Sequence, residues 1–433
     1  MHPARLRKDQ AVKTRTTVLI TPAFTLLSGD RGTVDGALTP ADTWSVGPDA
    51  LAARVARLFT GEGVILVDAA AADTLNVTDT WTTYEAGNVR AYLGRLDTLT
   101  AECDLVAGAW HQDTVAQFDL FHRLTGVAYH RSPGVAGLSL LQHLNPRQKG
   151  RKQIVWDSQN PGDVASEAPY FPGHWQATPP RGAFLHAYDK RRSGLAAMNV
   201  LQVARYSLKR HPGKRVYDRS LAGWWLAEVP AWNDPRMPDP AGYGETVTVG
   251  NGRVARWLTG PTIDLLNDLA EQGVSAGVTD IHDAYLSERA RIFLPWADRV
   301  EQAFQQADTL AANGSTQAAV VAETIKGVYR ETAGMFVGAN SWVRRSDWFG
   351  AKVAMERANG WRTAWKVGNK LDRWPVMVDG DAWWYADDRE DGAAAAPVWT
   401  DEAGKQQGMV LGTKLGHWRH HGTREAATMR GSK

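Results

Sequence analysis

Three aspartates stand where short apolar runs end. Asp189 closes the run over 183–188, and Asp379 and Asp381 flank Gly380 between the apolar runs 374–378 and 382–385. Residues two apart on a strand face the same side. Asp379 and Asp381 are therefore expected to converge, and Asp189 joins them if its strand is a neighbour. Hard divalent ions take carboxylate oxygens as ligands. Two such ions, about 3.5–4 Å apart, stabilise the attacking and leaving oxygens of phosphoryl transfer. Asp189, Asp379 and Asp381 are thus the candidate catalytic and metal-binding residues, with two Mg2+ or Mn2+ ions as cofactor. Asp-Gly is also the commonest chemistry of a tight hairpin turn, so the Asp-Gly-Asp segment alone defines no site.

Lys326 and Arg330 are four apart, on the side of a predicted helix away from Val321, Ile325 and Val328. A cationic stripe of this kind suits a triphosphate. The plainer alternative is a solvated face on which Lys326 pairs with Glu323. Residues 412–418, Gly-Thr-Lys-Leu-Gly-His-Trp, form a glycine-punctuated basic and aromatic stretch.

The elements that position these residues follow from periodicity. Residues 17–21 and 64–68 read as buried strands, and 50–60 and 87–99 as helices. Residues 145–180, rich in Pro, Gly and Lys/Arg, read as a connector. The strand ending in Asp189 is followed by a predicted helix over 195–210, short strands over 245–249 and 253–258, and a helix from Pro261 to near Gly273. Two long helices, 286–312 and 318–336, are joined by Asn313-Gly-Ser315, a short turn with an N-cap residue. A third long helix over 347–371 leads to the Asp-Gly-Asp hairpin.

The chain has 433 residues, a net charge of +2 and 43% hydrophobic residues, which excludes a wholly disordered chain. No apolar run is long enough for a membrane span, and the basic first twenty residues lack the apolar core of a signal peptide. One cysteine, Cys103, excludes an internal disulfide and a cysteine metal cluster, and fits a cytoplasmic setting. The small net charge hides an asymmetry. Residues 145–220 hold 14 Lys/Arg against 5 Asp/Glu, a local excess that suits a polyanion.

The order of these segments resembles the palm and fingers of family B DNA polymerases, in particular the protein-primed branch that copies linear phage and plasmid genomes. Tyr188-Asp-Lys-Arg-Arg-Ser-Gly-Leu195 stands where the family has motif A, D-x-x-S-L-Y-P. Residues 326–334 stand at motif B, with Lys326 and Gly334 kept, and 378–381 stand at motif C, D-T-D. Lys414-Leu-Gly-His-Trp418 is similar to the K-L-G-Y-W segment of the protein-primed branch. The resemblance covers roughly residues 183–421.

It implies an α+β fold: a polymerase-like palm sheet over 181–433 with an α-helical hairpin fingers insertion near 286–338, preceded by an α/β domain over 1–180. It further implies metal binding by Asp189, Asp379 and Asp381, and nucleoside triphosphate binding by Lys326, Arg330, Lys190 and Gly194. DNA would be held by Arg191, Arg192, Lys209, Arg210, Lys214, Arg215, Lys414 and Trp418, with Arg147, Lys149, Arg151 and Lys152 in the connector. A terminal or priming protein is a further implied partner.

Departures from the family pattern open alternatives. Gly194 stands where the family has the tyrosine that excludes ribonucleotides, and Arg330-Glu-Thr-Ala333 replaces the N-S-x-Y core of motif B. On this resemblance a thumb is expected to be missing, and residues 1–180 contain no Asp-x-Glu pair of a proofreading exonuclease. The readings are a compact nucleotidyltransferase, a catalytically lapsed DNA-binding protein resembling in role the telomere-associated proteins of actinobacterial linear replicons, and a primase-like enzyme that tolerates ribose through Gly194.

Overall fold

The computed structural model describes residues 17–20, 26–28, 32–33, 62–74, 77–78, 81–86, 89–96, 111–146, 153–158, 167, 171–176, 181–338 and 341–427. The helix expected over 50–60, Cys103, and Arg147, Lys149, Arg151 and Lys152 lie outside these residues. The chain divides into two compact units, Met1–Leu144 with Arg299–Thr332, and Asn145–Asp298 with Ala333–Lys433. This division differs from a boundary at residue 180: the middle of the long helical pair groups with the N-terminal segment.

The first unit holds β1 (Thr17–Ile20), β2 (Leu26–Ser28), β3 (Gly32–Thr33), β4 (Glu62–Val67), helix α1 (Ala69–Thr74), β5 (Thr82–Ala86) and β6 (Val89–Arg95). The sheet order is β3-β2-β1-β4-β6-β5. Its centre is parallel, β1 to β4 and β4 to β6. An interior parallel strand is covered on both faces, which is why Val64, Ile65, Leu66 and Val67 are all buried without alternation. Asp68 then caps α1, its Oδ1 accepting from the Ala70 amide at 3.0 Å.

The helix expected over 87–99 is instead strand β6. Ala91, Tyr92 and Leu93 are consecutive and all buried, a strand covered on both faces rather than a helical stripe. Gly94 marks a close approach, since an added Cβ would lie 2.6 Å from the Trp81 ring. Helices α2 (His111–Thr125) and α3 (Pro133–Leu144) follow. Between them His130 is buried and stacks on Tyr92, with ring centroids 4.0 Å apart.

The second unit begins with β7 (Phe171–Gln176), β8 (Phe184–Lys190), α4 (Ser193–Val200), β9 (Val203–Ala204), β10 (Lys209–Arg215), β11 (Leu221–Glu228), β12 (Val247–Val249), β13 (Arg253–Thr259), α5 (Gly260–Glu271) and β14 (Ile281–Ala290). One antiparallel sheet has the order β10-β14-β11-β13-β12, with β9 also on β14. Two expectations are corrected here. The helix after Asp189 stops at Val200, because the chain then extends to pair Val203 and Ala204 with Ala290 and Arg289. The long helix does not start at Leu286. Ile281, Ala284 and Leu286 are buried on strand β14, which is flanked by β10 and β11.

That helix, α6 (Leu294–Ala312), starts with Pro295 in its first turn, where a missing N–H costs nothing. It is joined to α7 (Thr316–Gly334), whose N-terminus is capped by Ser315 Oγ accepting from the Ala318 amide at 3.2 Å. In the first unit, Gln317 Nε2 donates to Asp113 Oδ1 at 3.0 Å and ties α7 to α2.

The chain finishes with α8 (Ser346–Leu371), β15 (Met377–Gly380), β16 (Ala382–Asp387), β17 (Val398–Thr400), β18 (Gln406–Gly408) and β19 (Trp418–Glu425). A second antiparallel sheet has the order β19-β8-β16-β15-β7. Trp361 and Trp365 of α8 form one core with Tyr188, Val378, Trp383, Tyr385 and Trp418 of this sheet. The tryptophan-rich C-terminal stretch thus serves mainly to pack a long helix on a sheet. Among the described residues no helix is long and apolar enough to cross a membrane.

Candidate active site

Strand β8 is flanked by β19 and β16. Its register with β19 sets Trp418 opposite Lys190, Arg419 opposite Asp189 and His420 opposite Tyr188. Asp189 is only 6% exposed, and a buried carboxylate requires a partner. Arg419 supplies it. Its Nε and Nη2 donate to the two Asp189 oxygens at 2.7 and 2.6 Å, the fork geometry that makes arginine–carboxylate pairs strong. A register shift between His420 and Gly422 accompanies this pairing, and His421 Nδ1 lies 3.6 Å from Asp189 Oδ2.

Asp381 reaches the same end of the sheet from the β15–β16 turn. Asp379 pairs with Ala382, leaving Gly380 and Asp381 as the turn, and Gly380 has φ +61°. A continuous strand would have put Asp379 and Asp381 on one face; the turn breaks that relation. Desolvation, and next the Asp189 carboxylate, push the Asp381 carboxyl above its ordinary range, against the Ser193 hydroxyl, which donates to Oδ2 at 3.2 Å. Asp379 is exposed. Among the described residues no group of three or more His, Cys, Asp or Glu side chains is gathered to hold a metal ion. Asp381 is exposed as well, and of the three aspartates it is Asp189 whose charge acts on the Asp381 carboxyl.

Glu356 of α8 extends this pair. Ser193 Oγ is also 3.2 Å from Glu356 Oε1, and Lys352 Nζ is 2.7 Å from Glu356 Oε2. A hydroxyl has one proton, so Ser193 serves one carboxylate at a time. Burial, opposed first by the Lys352 charge, raises the Glu356 carboxyl above its ordinary range. An added Cβ at Gly194 would lie 3.0 Å from Glu356 Oε1 and 3.1 Å from Lys352 Cε. The space beside Gly194, expected to be open to a sugar, is filled by this ion pair.

A cavity bordering Asp381 is lined by Lys190, Ser193, Glu356, Asn359 and Trp418, among others. Lys190 Nζ lies 5.1 Å from the Trp418 ring centroid, and burial brings its ammonium down to about 8. Trp418 itself is 3% exposed. Trp418, which the resemblance placed on DNA, is therefore a core residue under Lys190.

Other cations expected on nucleic acid are placed as follows. Arg191 and Arg192 form the turn after β8, where the Arg191 amide donates to the His417 carbonyl at 2.7 Å and Arg192 Nη2 donates to the Thr413 carbonyl at 3.0 Å. This turn is thereby fastened to the loop that carries exposed Lys414. Lys209, Arg210 and Lys214 are exposed on edge strand β10, and Arg215 is half-buried. Arg210 pairs with Asp283 at 2.8 Å and Lys214 with Asp280 at 3.4 Å, so part of this charge is already neutralised. Lys326 and Arg330 belong to the first unit. Lys326 ion-pairs with Glu323 and sits 5.7 Å from the Phe304 ring centroid, and Arg330 is exposed.

Ser193, Glu356 and Arg419 were not among the residues singled out from sequence. Arg419 had one signal, its place directly after the Lys-Leu-Gly-His-Trp segment. Its partner depends on strand register, which spacing does not reveal.

A divalent ion would be held by Asp189 and Asp381. Their donor type fits: two hard oxygen ligands whose mutual repulsion a cation relieves. One side of the fit is contested, since both Asp189 oxygens carry the Arg419 fork.

No family model matches the sequence, and no curated protein matches it. Among solved structures, the chain is similar to Phi29 DNA polymerase in its orthorhombic crystal form, at 12% identity and TM-score 0.43, over 72% of this chain and 56% of that one. It is also similar to Phi29 DNA polymerase complexed with primer-template DNA and incoming nucleotide substrates, at 11% identity and TM-score 0.45, over 95% and 85% of the two chains. The complex with single-stranded DNA gives 10% identity and TM-score 0.44, over 88% and 78%. The chain spans little more than half the length of the first of these. Likeness at this level carries no functional inference by itself.

Proposed function

We propose that the second unit is a polymerase-like palm and that the chain is a compact nucleotidyltransferase acting on DNA and nucleoside triphosphates in the replication of a phage, plasmid or linear replicon. The observation that carries this reading is that the pairing of β16 with β8 in one sheet, Trp383 opposite Tyr188, brings the β15–β16 turn with Asp381 to the end of β8 that carries Asp189. Like charges repel, so a carboxylate pair of this kind is costly unless a cation is to be held there. A bound Mg2+ or Mn2+ would neutralise charge on the attacking and leaving oxygens.

The chain's own residues do the rest. Asp189 and Asp381 bind the ion, and the Ser193 hydroxyl orients Asp381. Lys190 contributes charge at the cavity wall. Arg191, Arg192, Lys209, Arg210, Lys214, Arg215 and Lys414 hold phosphates by charge. A terminal or priming protein partner rests on the family resemblance alone. The test is nucleotide incorporation on a primed template with Mg2+ or Mn2+. Activity in the wild type and its loss in Asp381→Ala supports the reading; equal inactivity of both rejects it.

A second reading is favoured by one observation, the Arg419 fork on Asp189. A carboxylate already neutralised suits a DNA-binding protein whose catalysis has lapsed. This reading expects salt-sensitive DNA binding that neither EDTA nor Asp381→Asn changes. The primase-like reading drew on open space beside Gly194, and Lys352 with Glu356 fills that space.

A further inference from the structure

We infer that Arg419 is the resident cation of the site: it occupies the Asp189 carboxylate in place of a divalent ion, and metal binds at Asp189 and Asp381 only as Arg419 is displaced. This deepens the metal-centre reading above and rests on it only for the identity of the two carboxylates.

Three observations converge on Arg419. It stands directly opposite Asp189 in the register of β19 and β8, so the pairing is set by the sheet and not by a wandering side chain. Both Asp189 oxygens are engaged, at 2.7 and 2.6 Å. A divalent ion needs at least one of them with a free lone pair in the right direction, and it needs the guanidinium charge out of its immediate surroundings. The two partners also differ in exposure. The Asp189 side chain is 9% exposed and that of Arg419 is 47% exposed. The carboxylate is fixed in the sheet, whereas the cation reaches it from the solvent side.

The neighbouring groups engage Asp189 less closely than Arg419 does. His421 Nδ1 is 3.6 Å from Asp189 Oδ2, beyond hydrogen-bond reach, and is largely exposed. Ser193 is committed to Asp381 and Glu356, and Lys352 to Glu356. Removing Arg419 therefore frees both Asp189 oxygens of the guanidinium fork, beside the turn that carries Asp381. A divalent ion is the charge and donor match for that arrangement. Arg419 is accordingly a gating and positioning residue, not a catalytic one.

The experiment is Mn2+ titration of the full chain, with free Mn2+ followed by its EPR signal, so that no turnover is required. Arg419→Ala is expected to bind Mn2+ roughly tenfold to hundredfold more tightly than the wild type, the scale on which loss of one nearby charge acts in a site of intermediate dielectric. The double variant Arg419→Ala/Asp381→Asn is expected to lose that gain, which assigns the ion to the carboxylate pair. Arg419→Gln keeps much of the side-chain stem and serves the same purpose if the alanine variant misfolds by circular dichroism. Equal Mn2+ affinity in the wild type and in a folded Arg419 variant overturns the inference, as does a gain that survives Asp381→Asn. A gain in affinity without nucleotide incorporation by any variant leaves the Arg419 assignment standing and rejects the enzyme reading.

Discussion

Gly194 and Glu356 are in near contact across the site: a Cβ added to the glycine would lie 3.0 Å from Glu356 Oε1. The glycine sits in the first turn of α4 and the glutamate on α8. Glu356 is held there by Lys352 and Ser193. The space beside Gly194 is therefore filled by a buried ion pair delivered by another helix. Gly194→Ala gains helix propensity of about 1 kcal/mol and meets a tight contact, so it should be close to neutral. Gly194→Tyr should destabilise the fold by about 1–3 kcal/mol through overpacking. Chemical denaturation checks both. The tyrosine variant should cost less in a Glu356→Ala background, because neighbours that compete for space are not additive.

The elements that were legible in the sequence are those whose burial is local in origin. The apolar run of β4, the Ser315 cap and the Asp-Gly-Asp turn each follow from adjacent residues. Strand β6 was not legible as a strand, because Ala91-Tyr92-Leu93 is buried on both faces by partners distant in sequence. The start of helix α6 is hidden in the sequence for a related reason. The apolar residues of β14 continue into it, and only pairing with β10 and β11 separates the two. At the site, Asp189 and Asp381 could be named from their places at strand ends. Arg419 and Glu356 could not, since one depends on the β8–β19 register and the other on where α8 crosses Ser193.

Lys190 should make stability rise with pH in a defined window. Burial brings its ammonium from an ordinary 10.5 down to about 8. Between these values the unfolded chain keeps a proton that the folded chain has released, so folding gains as pH rises. Tyr188 and Tyr385, whose hydroxyls burial pushes far up, act in the opposite direction only above their ordinary value of 10.0. The difference in urea midpoint between wild type and Lys190→Met should therefore move in favour of the wild type from about pH 8 to pH 10. A difference that stays flat with pH contradicts the burial of this amine.

His130 should do the reverse at acid pH, in the first unit. It is buried, stacked on Tyr92, and desolvation lowers its imidazolium from 6.5 to about 4. As pH falls from 6.5 towards 4 the unfolded chain takes up a proton that the folded chain excludes, so stability is lost across that window. The full effect is about 3 kcal/mol by proton linkage. His130→Phe keeps the ring stack without the titration. Its denaturation midpoint should be less sensitive to pH over this range than that of the wild type.

Asp347 offers a large single-residue effect on stability. Its partner Arg345 has a fully buried side chain, and Arg345 Nε and Nη2 donate to the two Asp347 oxygens at 2.9 and 2.8 Å. Arg345 also donates to the Val155 and Ala204 carbonyls, at 2.5 and 2.6 Å. Asp347→Ala leaves that guanidinium charge buried with neutral acceptors only, and should cost about 3–5 kcal/mol. The double variant Arg345→Met/Asp347→Leu removes the charge together with its partner, at the loss of the two carbonyl contacts. It should therefore be more stable than Asp347→Ala, because an uncompensated buried charge costs more than an apolar replacement of the pair. Denaturant unfolding of the two variants beside the wild type decides it, and a double variant less stable than the single one shows that the carbonyl contacts, not the ion pair, dominate at this position.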